Sequence, residues 1–310
     1  MPKKRILILI LLAFCAAFFI WVNKSGRKNE IVSPLGSWLA PEEQIVRKIL
    51  GIFDPKSGLD HLLEDSIKNR QGTYGIYIKN LKTGETASIN ADSKLETASL
   101  YKLWVAGVVY AQIKNGSINK NEKLESSKYD LYKKMDFDIK KEEEEKLKEE
   151  KLEMTVADAL IKMITVSDND SAYLLTDRVG FANINSFLNQ NGFPNSKITN
   201  PPTSTPREIG SFYEKLYKGE IVNKQSSNEL IVLLKSQRIN DRIPKYLPNI
   251  AVAHKTGELG TLKHDAGIVY GKDPYVLVVL TDTKDTDHAA EFTAELSKQI
   301  FSYFESKHKN

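Results

Sequence analysis

Three short residue combinations in this 310-residue chain could do chemistry. Ser99-Leu100-Tyr101-Lys102 sets a hydroxyl and an amine three residues apart. On a helix that spacing brings both side chains to one face, about a hydrogen bond apart. A serine hydroxyl is a poor nucleophile until a base takes its proton, and a neutral lysine can be that base. Burial and a neighbouring cation both lower a lysine's pKa toward what the role needs. Ser167-Asp168-Asn169 offers a hydroxyl that can relay a proton and an amide that can hold a carbonyl and a lysine. Two apart in a turn, Ser167 and Asn169 can face a cleft while Asp168 faces away. Lys255-Thr256-Gly257 offers a cation for a carboxylate, and a glycine that leaves a strand edge open to an extended substrate.

Each combination also has an ordinary reading. Chance supplies on the order of one Ser-x-x-Lys in a chain of this length. Ser25-Gly26-Arg27-Lys28 is a second instance, in a polar linker. Ser, Asp and Asn are all helix caps. Lys82-Thr83-Gly84 repeats Lys-Thr-Gly inside what reads as a hairpin turn.

The elements that must position these residues follow from periodicity. Residues 41–69 have helical spacing, with Ile45, Ile49 and Ile52 on one face and Leu62, Leu63 and Ile67 continuing it. Residues 72–79 alternate, 80–84 turn and 85–90 return, which makes a β-hairpin. A helix from Ala98 to Lys114 is apolar on more than one face, as a buried helix is. The charged run 137–153 reads as a solvated helix held by Glu–Lys pairs four apart, or alternatively as a lid over the cleft. Met154 to Val166, with Thr155 as N-cap, and Ser171 to Val179 read as further helices. Strands are expected at 250–255, 266–270 and 275–281, and a closing helix at 288–303. The expected fold class is therefore α+β. A five-stranded antiparallel sheet is built from both chain ends and flanked by helices. An all-α lobe is inserted, and the site lies between the two.

The three combinations occur in the order Ser-x-x-Lys, Ser-Asp-Asn, Lys-Thr-Gly, on a helix start, an interhelical turn and a strand. As a set they resemble the signature of class A β-lactamases and penicillin-binding proteins. The segment TYGIYIKNLKTGETASINAD resembles the opening hairpin of the class A enzymes. MTVADALIKMITVSDNDSAYLLTDRVG resembles their second-motif region, and HKTGELGTLKHDAGIVYG the last strands of the related serine hydrolases. The resemblance spans about residues 58–305. It implies that Ser99 attacks a strained or D-Ala-type amide carbonyl, with Lys102 as its base and Ser167 as proton shuttle. It implies that Lys255 and Thr256 bind a substrate carboxylate, with Gly257 in the same motif. Asn169 would fix Lys102 and the substrate, and the N–H groups of Ser99 and Glu258 would form an oxyanion hole. Lys263 reads as a strand-edge lysine or a second cation for the carboxylate, and His264 as structural.

One departure from that family bears on turnover. The class A enzymes carry an Ω-loop glutamate that activates the deacylating water. Here Phe181 through Arg207 contain no Asp or Glu, and Thr205-Pro206 already resembles the start of the next helix. The readings left open are a β-lactamase-like hydrolase with another deacylation route, a penicillin-binding D-Ala peptidase of the cell wall, and a non-hydrolytic β-lactam- or peptidoglycan-binding module.

Composition removes other classes. The net charge of +4 and the lack of a basic, aromatic-interleaved patch argue against nucleic acid as a partner. The single cysteine, Cys15, leaves no disulfide framework or cysteine metal site. The five histidines lack the spacing of a zinc helix, so no metal or cofactor is expected. A monomer is the expected state. Residues 1–5 form a basic end, and Ile6 to Val22 an unbroken apolar run of 17 residues. That spans about 25 Å, the short end of a bilayer crossing. Bulky Phe18-Phe19-Ile20-Trp21-Val22 stand where signal cleavage wants small residues, and Phe14 precedes Cys15 where a lipoprotein wants one. The expectation is an uncleaved single-pass anchor, a linker over 23–40, and an extracytoplasmic hydrolase domain over 41–310. Secretion after cleavage is the alternative.

Overall fold

The structure, a computed structural model, describes residues 57–308. The apolar run, the linker and the helical pattern of 41–56 lie outside the described residues. Among those described, no helix is long and apolar enough to cross a membrane. Helix α1 (Gly58–Ile67) opens with a capping box. Ser57 Oγ accepts from the Asp60 N–H at 3.1 Å, and the Asp60 carboxylate accepts from the Ser57 N–H at 3.0 Å.

The expected five-stranded sheet is present. Strands β1 (Thr73–Asn80) and β2 (Thr86–Ile89) come from the start of the domain, and β7 (Val252–Leu259), β8 (Leu262–Val269) and β9 (Tyr275–Asp282) from its end. Their order is β2-β1-β9-β8-β7, antiparallel throughout. Ile76, Ile78, Leu277 and Val279 pack with Phe292, Leu296 and Ile300 of the closing helix α10 (Thr286–Ser306). Tyr77, Val276, Val278 and Leu280 belong to the opposite core, around helix α2 (Lys102–Lys114). Both faces are covered, which explains why these strands read as continuous apolar runs. Helix α2 is buried from Lys102 through Tyr110, so its sequence carries no polar stripe.

The second lobe holds α2, α3 (Lys128–Lys134), α4 (Glu144–Glu149), α5 (Val156–Thr165), α6 (Asn169–Val179) and α7 (Phe181–Gln190). Thr155 caps α5 as expected, accepting from the Asp158 N–H at 3.1 Å. The charged run 137–153 is not one helix. Only α4 and a short turn at Lys141–Glu143 are helical, and Lys151–Thr155 forms strand β5 paired with β4 (Lys123–Ser127). Exposed Lys151 and Glu153 alternate with half-buried Leu152 and Met154. That period of two was hidden by a Glu/Lys-rich composition, and the Lys123–Glu153 ion pair at 2.6 Å joins the strands. The Glu–Lys pairs four apart are confined to the helical turn, at 3.8 and 3.9 Å.

Helix α2 is preceded by a tight 3₁₀ turn, Ala98–Tyr101, that carries Ser99. The short strand β3 (Leu95–Glu96) leading into it pairs with β6 (Thr203–Ser204), and the Thr97 N–H donates to Pro202 O at 2.9 Å. From the other side β7 comes so close that a Cβ on Gly257 would sit 2.8 Å from Thr97 O and 3.2 Å from Leu100 Cγ. The glycine therefore makes room for the protein's own turn rather than for an extended substrate. Gly257→Ala should push strand and turn apart, at a cost of about 1–3 kcal/mol in stability. A lowered thermal midpoint is the expected result, and an unchanged one would mean that the turn can retreat freely.

Candidate active site

Ser99 sits in the first turn of its 3₁₀ segment, directly after Ala98, whose φ of 43° is left-handed. A non-glycine residue in that region is held there by its surroundings. The first N–H groups of a helix have no partner inside it, and that of Ser99 is one of them. Ser99 is half-buried and lines a cavity of about 430 Å³, together with Tyr101, Asn169 and Glu258.

Lys102 is fully buried one turn along. Its Nζ donates to Ser167 O at 2.6 Å and to Asn169 Oδ1 at 2.7 Å, and lies 3.3 Å from Ser167 Oγ. Burial pushes its pKa down to about 8, against the opposing pull of the Asp168 charge. The chain can present both oxygens of Ser167 to one amine because Ser167 itself is left-handed, with φ 58°. Asp168 points away, as expected, and caps α6 by accepting from the Ser171 N–H at 2.8 Å and the Ser171 hydroxyl at 2.5 Å. The cap reading and the site reading of Ser-Asp-Asn thus hold together, on different side chains of one turn.

Lys255 enters from β7, also fully buried. Its Nζ donates to Ser167 Oγ at 2.8 Å and to Thr256 O at 2.8 Å. Burial first, then the charge of Lys102, holds this amine well below the ordinary lysine range, with Asp265 opposing and Arg242 adding to the shift. Ser167 Oγ is therefore flanked by two lysine amines brought from different lobes.

The remaining predicted residues lie beside this cluster. Thr256 is buried next to Lys255, and Gly257 seats the Ser99 turn. Glu258 is exposed at the cavity wall with both carboxylate oxygens engaged, by Lys263 at 2.6 Å and by Arg242 Nη2 at 2.6 Å. Strand β7 is the edge of the sheet, so alternate N–H groups along it point away from β8. Lys263 is thus tied to Glu258. His264 is structural. Its Nε2 faces Glu96 O at 3.0 Å and its Nδ1 accepts from the Thr281 N–H at 3.0 Å, an arrangement only the neutral ring can make. Burial lowers its pKa to about 4.

Sequence reasoning missed Arg242. It lies in the irregular segment between α9 (Lys224–Lys235) and β7, where no periodicity or motif marks it. Its side chain is fully buried, and Nη1 donates to His264 O at 2.9 Å. The segment is held by a buried His254–Asp265 pair at 2.9 Å, by Asn240 on the other ring nitrogen at 3.1 Å, and by the Ile243 N–H on Asp265 at 3.0 Å. An arginine shortly before the Lys-Thr-Gly strand was the available signal.

The acid-free region behaves as its composition implies. Helix α7 is followed by a short loop to β6 and α8 (Pro206–Lys218), with Thr205 as N-cap and Pro206 in the first turn. Glu208, the first acidic residue after the gap, is buried and turned into that loop. It accepts from the Asn195 N–H at 2.9 Å and the Ser196 hydroxyl at 2.6 Å. Residues 198–202 line the Ser99 cavity without a carboxylate.

The chain is similar to known proteins. Among curated proteins, the chain is 23% identical over 276 residues to Beta-lactamase VEB-1 of Pseudomonas aeruginosa, covering 79% of this chain and 90% of that one. It is 24% identical over 244 residues to Beta-lactamase BRO-1 of Moraxella catarrhalis, covering 71% and 76%. Among solved structures, PBP-A superposes with a TM-score of 0.71 at 24% identity, covering 82% of this chain and 98% of that one. The TLA-3 extended-spectrum beta-lactamase gives 0.70 at 21%, covering 79% and 98%. The family model described as the beta-lactamase enzyme family matches residues 58–304, a span that includes Ser99, Lys102, Ser167 and Lys255, and the chain belongs to that family, as a serine hydrolase of the class A type.

Proposed function

We propose that the protein is an acyl-transfer enzyme in which β-lactams, or D-Ala peptides of the cell wall, acylate Ser99. The observation that carries this reading is the Ser167 hydroxyl held between the buried amines of Lys102 and Lys255, beside the cavity that Ser99 lines. Neutral Lys102 takes the proton of Ser99 as Oγ adds to the carbonyl carbon. The N–H groups of Ser99 and Glu258 receive the oxyanion. The C–N bond then breaks, and the proton passes from Lys102 through Ser167 to the leaving nitrogen, leaving an ester on Ser99. Asn169 orients Lys102 and the substrate amide. Lys255 and Thr256 receive the substrate carboxylate, and the buried Arg242 adds positive potential behind them. In a β-lactam the leaving nitrogen stays tethered, so the ester retains the whole drug. A variant of the related PBP-A has been captured as an acyl-enzyme complex with penicillin G, which supports the choice of substrate.

Hydrolysis of that ester needs a base for water. The cavity wall carries Glu96, Asp136 and Glu258, but none of them comes from the acid-free segment 181–207 that stands where the class A enzymes place this base, and Glu258 is held by two cations. We therefore assign slow deacylation. The missing base costs roughly 10²–10⁴ in rate, or about 3–5 kcal/mol of barrier. The apolar run at 6–22 supports an extracytoplasmic, membrane-anchored location, where such substrates occur.

Intact-mass measurement of the full-length protein with a penicillin should give an adduct of the drug's full mass, lasting minutes and absent in Ser99→Ala. Rapid return to the free mass with steady drug hydrolysis would contradict slow deacylation, and equal labelling of Ser99→Ala would remove the nucleophile.

The acylation rate should rise with pH through about 8 and then level. With its pKa near 8, Lys102 is neutral in about a tenth of molecules at pH 7 and mostly neutral above pH 9. Lys102→Ala should slow acylation by roughly 10²–10⁴-fold. A flat profile, or a normal rate in the variant, would assign the base elsewhere.

The protein should also fractionate with membranes at its full mass. A shortened soluble form would favour cleavage.

A further inference from the structure

The sheet side of the Ser99 cavity carries more charge than acylation uses. Thr256 and Glu258 stand two apart on β7, so their side chains share one face, and Lys263 on β8 is the register partner of Glu258. Lys263 Nζ donates to Glu258 Oε1 and Arg242 Nη2 to Glu258 Oε2, both at 2.6 Å. Asp241 adds a second carboxylate, 3.2 Å from Arg242 Nε and 3.8 Å from Lys263 Nζ. Two cations therefore face two carboxylates, and the formal charges of these four groups cancel. Lys255 differs. Its amine bonds to a hydroxyl and a carbonyl oxygen, and among the described residues it contacts no carboxylate. Phe137 and Phe181, on the helical wall of the cavity, bring no charge to it.

The order of exposure decides what an incoming anion meets. The Arg242 side chain is 0% exposed and that of Lys263 10%, whereas that of Glu258 is 55% exposed. The carboxylate lies outermost, with the cations beneath it. Burial pulls its pKa up, but Lys263 and Arg242 outweigh that and hold it below the ordinary glutamate range, so it is charged at neutral pH. A substrate carboxylate seated on Lys255 and Thr256 has Arg242 behind it and Glu258 beside it, and like charges at such range repel. We propose that Glu258 is a specificity-determining residue, whose carboxylate stands in for a substrate anion on Arg242 and Lys263. The enzyme then gains little from a free carboxylate on the leaving side of the scissile amide, and accepts substrates whose leaving side is neutral there, as an ester or an amide, nearly as well. The inference rests on acylation of Ser99 with Lys255 and Thr256 facing the leaving side, and deepens that reading to a substrate class.

The test compares second-order acylation rate constants of the full-length protein for benzylpenicillin and benzylpenicillin methyl ester, which share the acyl group and differ only at the leaving-side carboxyl. In the wild type the two rates should lie within about tenfold of each other, and Glu258→Gln should raise the ratio of acid to ester by about tenfold or more, as removal of a like charge at close range does. Glu258→Ala should raise it likewise, and Glu258→Asp, which keeps the charge, should stay near the wild-type ratio. The backbone N–H of residue 258 serves both drugs, so any change in the oxyanion hole cancels in the ratio, as does a general loss of activity. A ratio unmoved or lowered in both Glu258→Gln and Glu258→Ala would mean that the carboxylate orients Arg242 for the substrate instead of masking it, and overturns the inference while leaving acylation standing. No adduct on Ser99 of the wild type with either drug overturns acylation and the inference with it.

Discussion

Two lysine amines buried around one serine hydroxyl set the terms for the rest of this structure. A buried ammonium is costly unless its N–H groups are satisfied, and two in contact with one oxygen repel each other as well. Lys102 meets the requirement with Ser167 O and Asn169 Oδ1, and Lys255 with Thr256 O and Ser167 Oγ. Those acceptors exist in the right directions only because Ser167 adopts a left-handed backbone between two helices and β7 lies against the Ser99 turn without an intervening side chain. The same burial that makes the cluster expensive lowers the pKa of Lys102 into the range where it can act as a base. Cost and function have one physical origin.

A second layer of charge holds the first in place. Arg242 is buried between His264 O and the Glu258 carboxylate, and Glu258 also takes Lys263. The His254–Asp265 pair ties the irregular segment carrying Arg242 to strands β7 and β8. Asp265 offsets part of the positive potential that Arg242 and Lys102 exert on Lys255. Neutral His264 bridges β8 to Glu96 and so fixes the entry to the Ser99 turn. Together these contacts leave a positive floor on the sheet side and an apolar wall on the helical side, with Ser99 at their junction.

Much of this was legible in the sequence, and the part that was not has definite causes. The order and spacing of the three motifs located Ser99, Lys102, Ser167, Asn169 and Lys255. Spacing on a helix, in a turn or along a strand is a local property, fixed by backbone geometry. Alternation and apolar runs likewise located the five strands, because burial on both faces leaves a signature in composition. The absence of an acid between Phe181 and Arg207 could be read directly, and Glu208, the first acid after it, is bonded to Asn195 and Ser196.

Tertiary structure alone decided the rest. Strand β5 became a strand because β4 offered it a register, although its Glu and Lys content reads as helix. Gly257 is required by the approach of a turn more than 150 residues away in sequence, not by a substrate. Arg242 joins the site through burial and through contacts with His264 and Glu258. The aromatic wall of Phe137 and Phe181 assembles from segments that share no motif. Local chemistry sets which residues can react, since it depends on side-chain type and short-range spacing. Long-range packing sets their pKa values, their unpaired surfaces and their neighbours, since these depend on which distant segments exclude water from the same place.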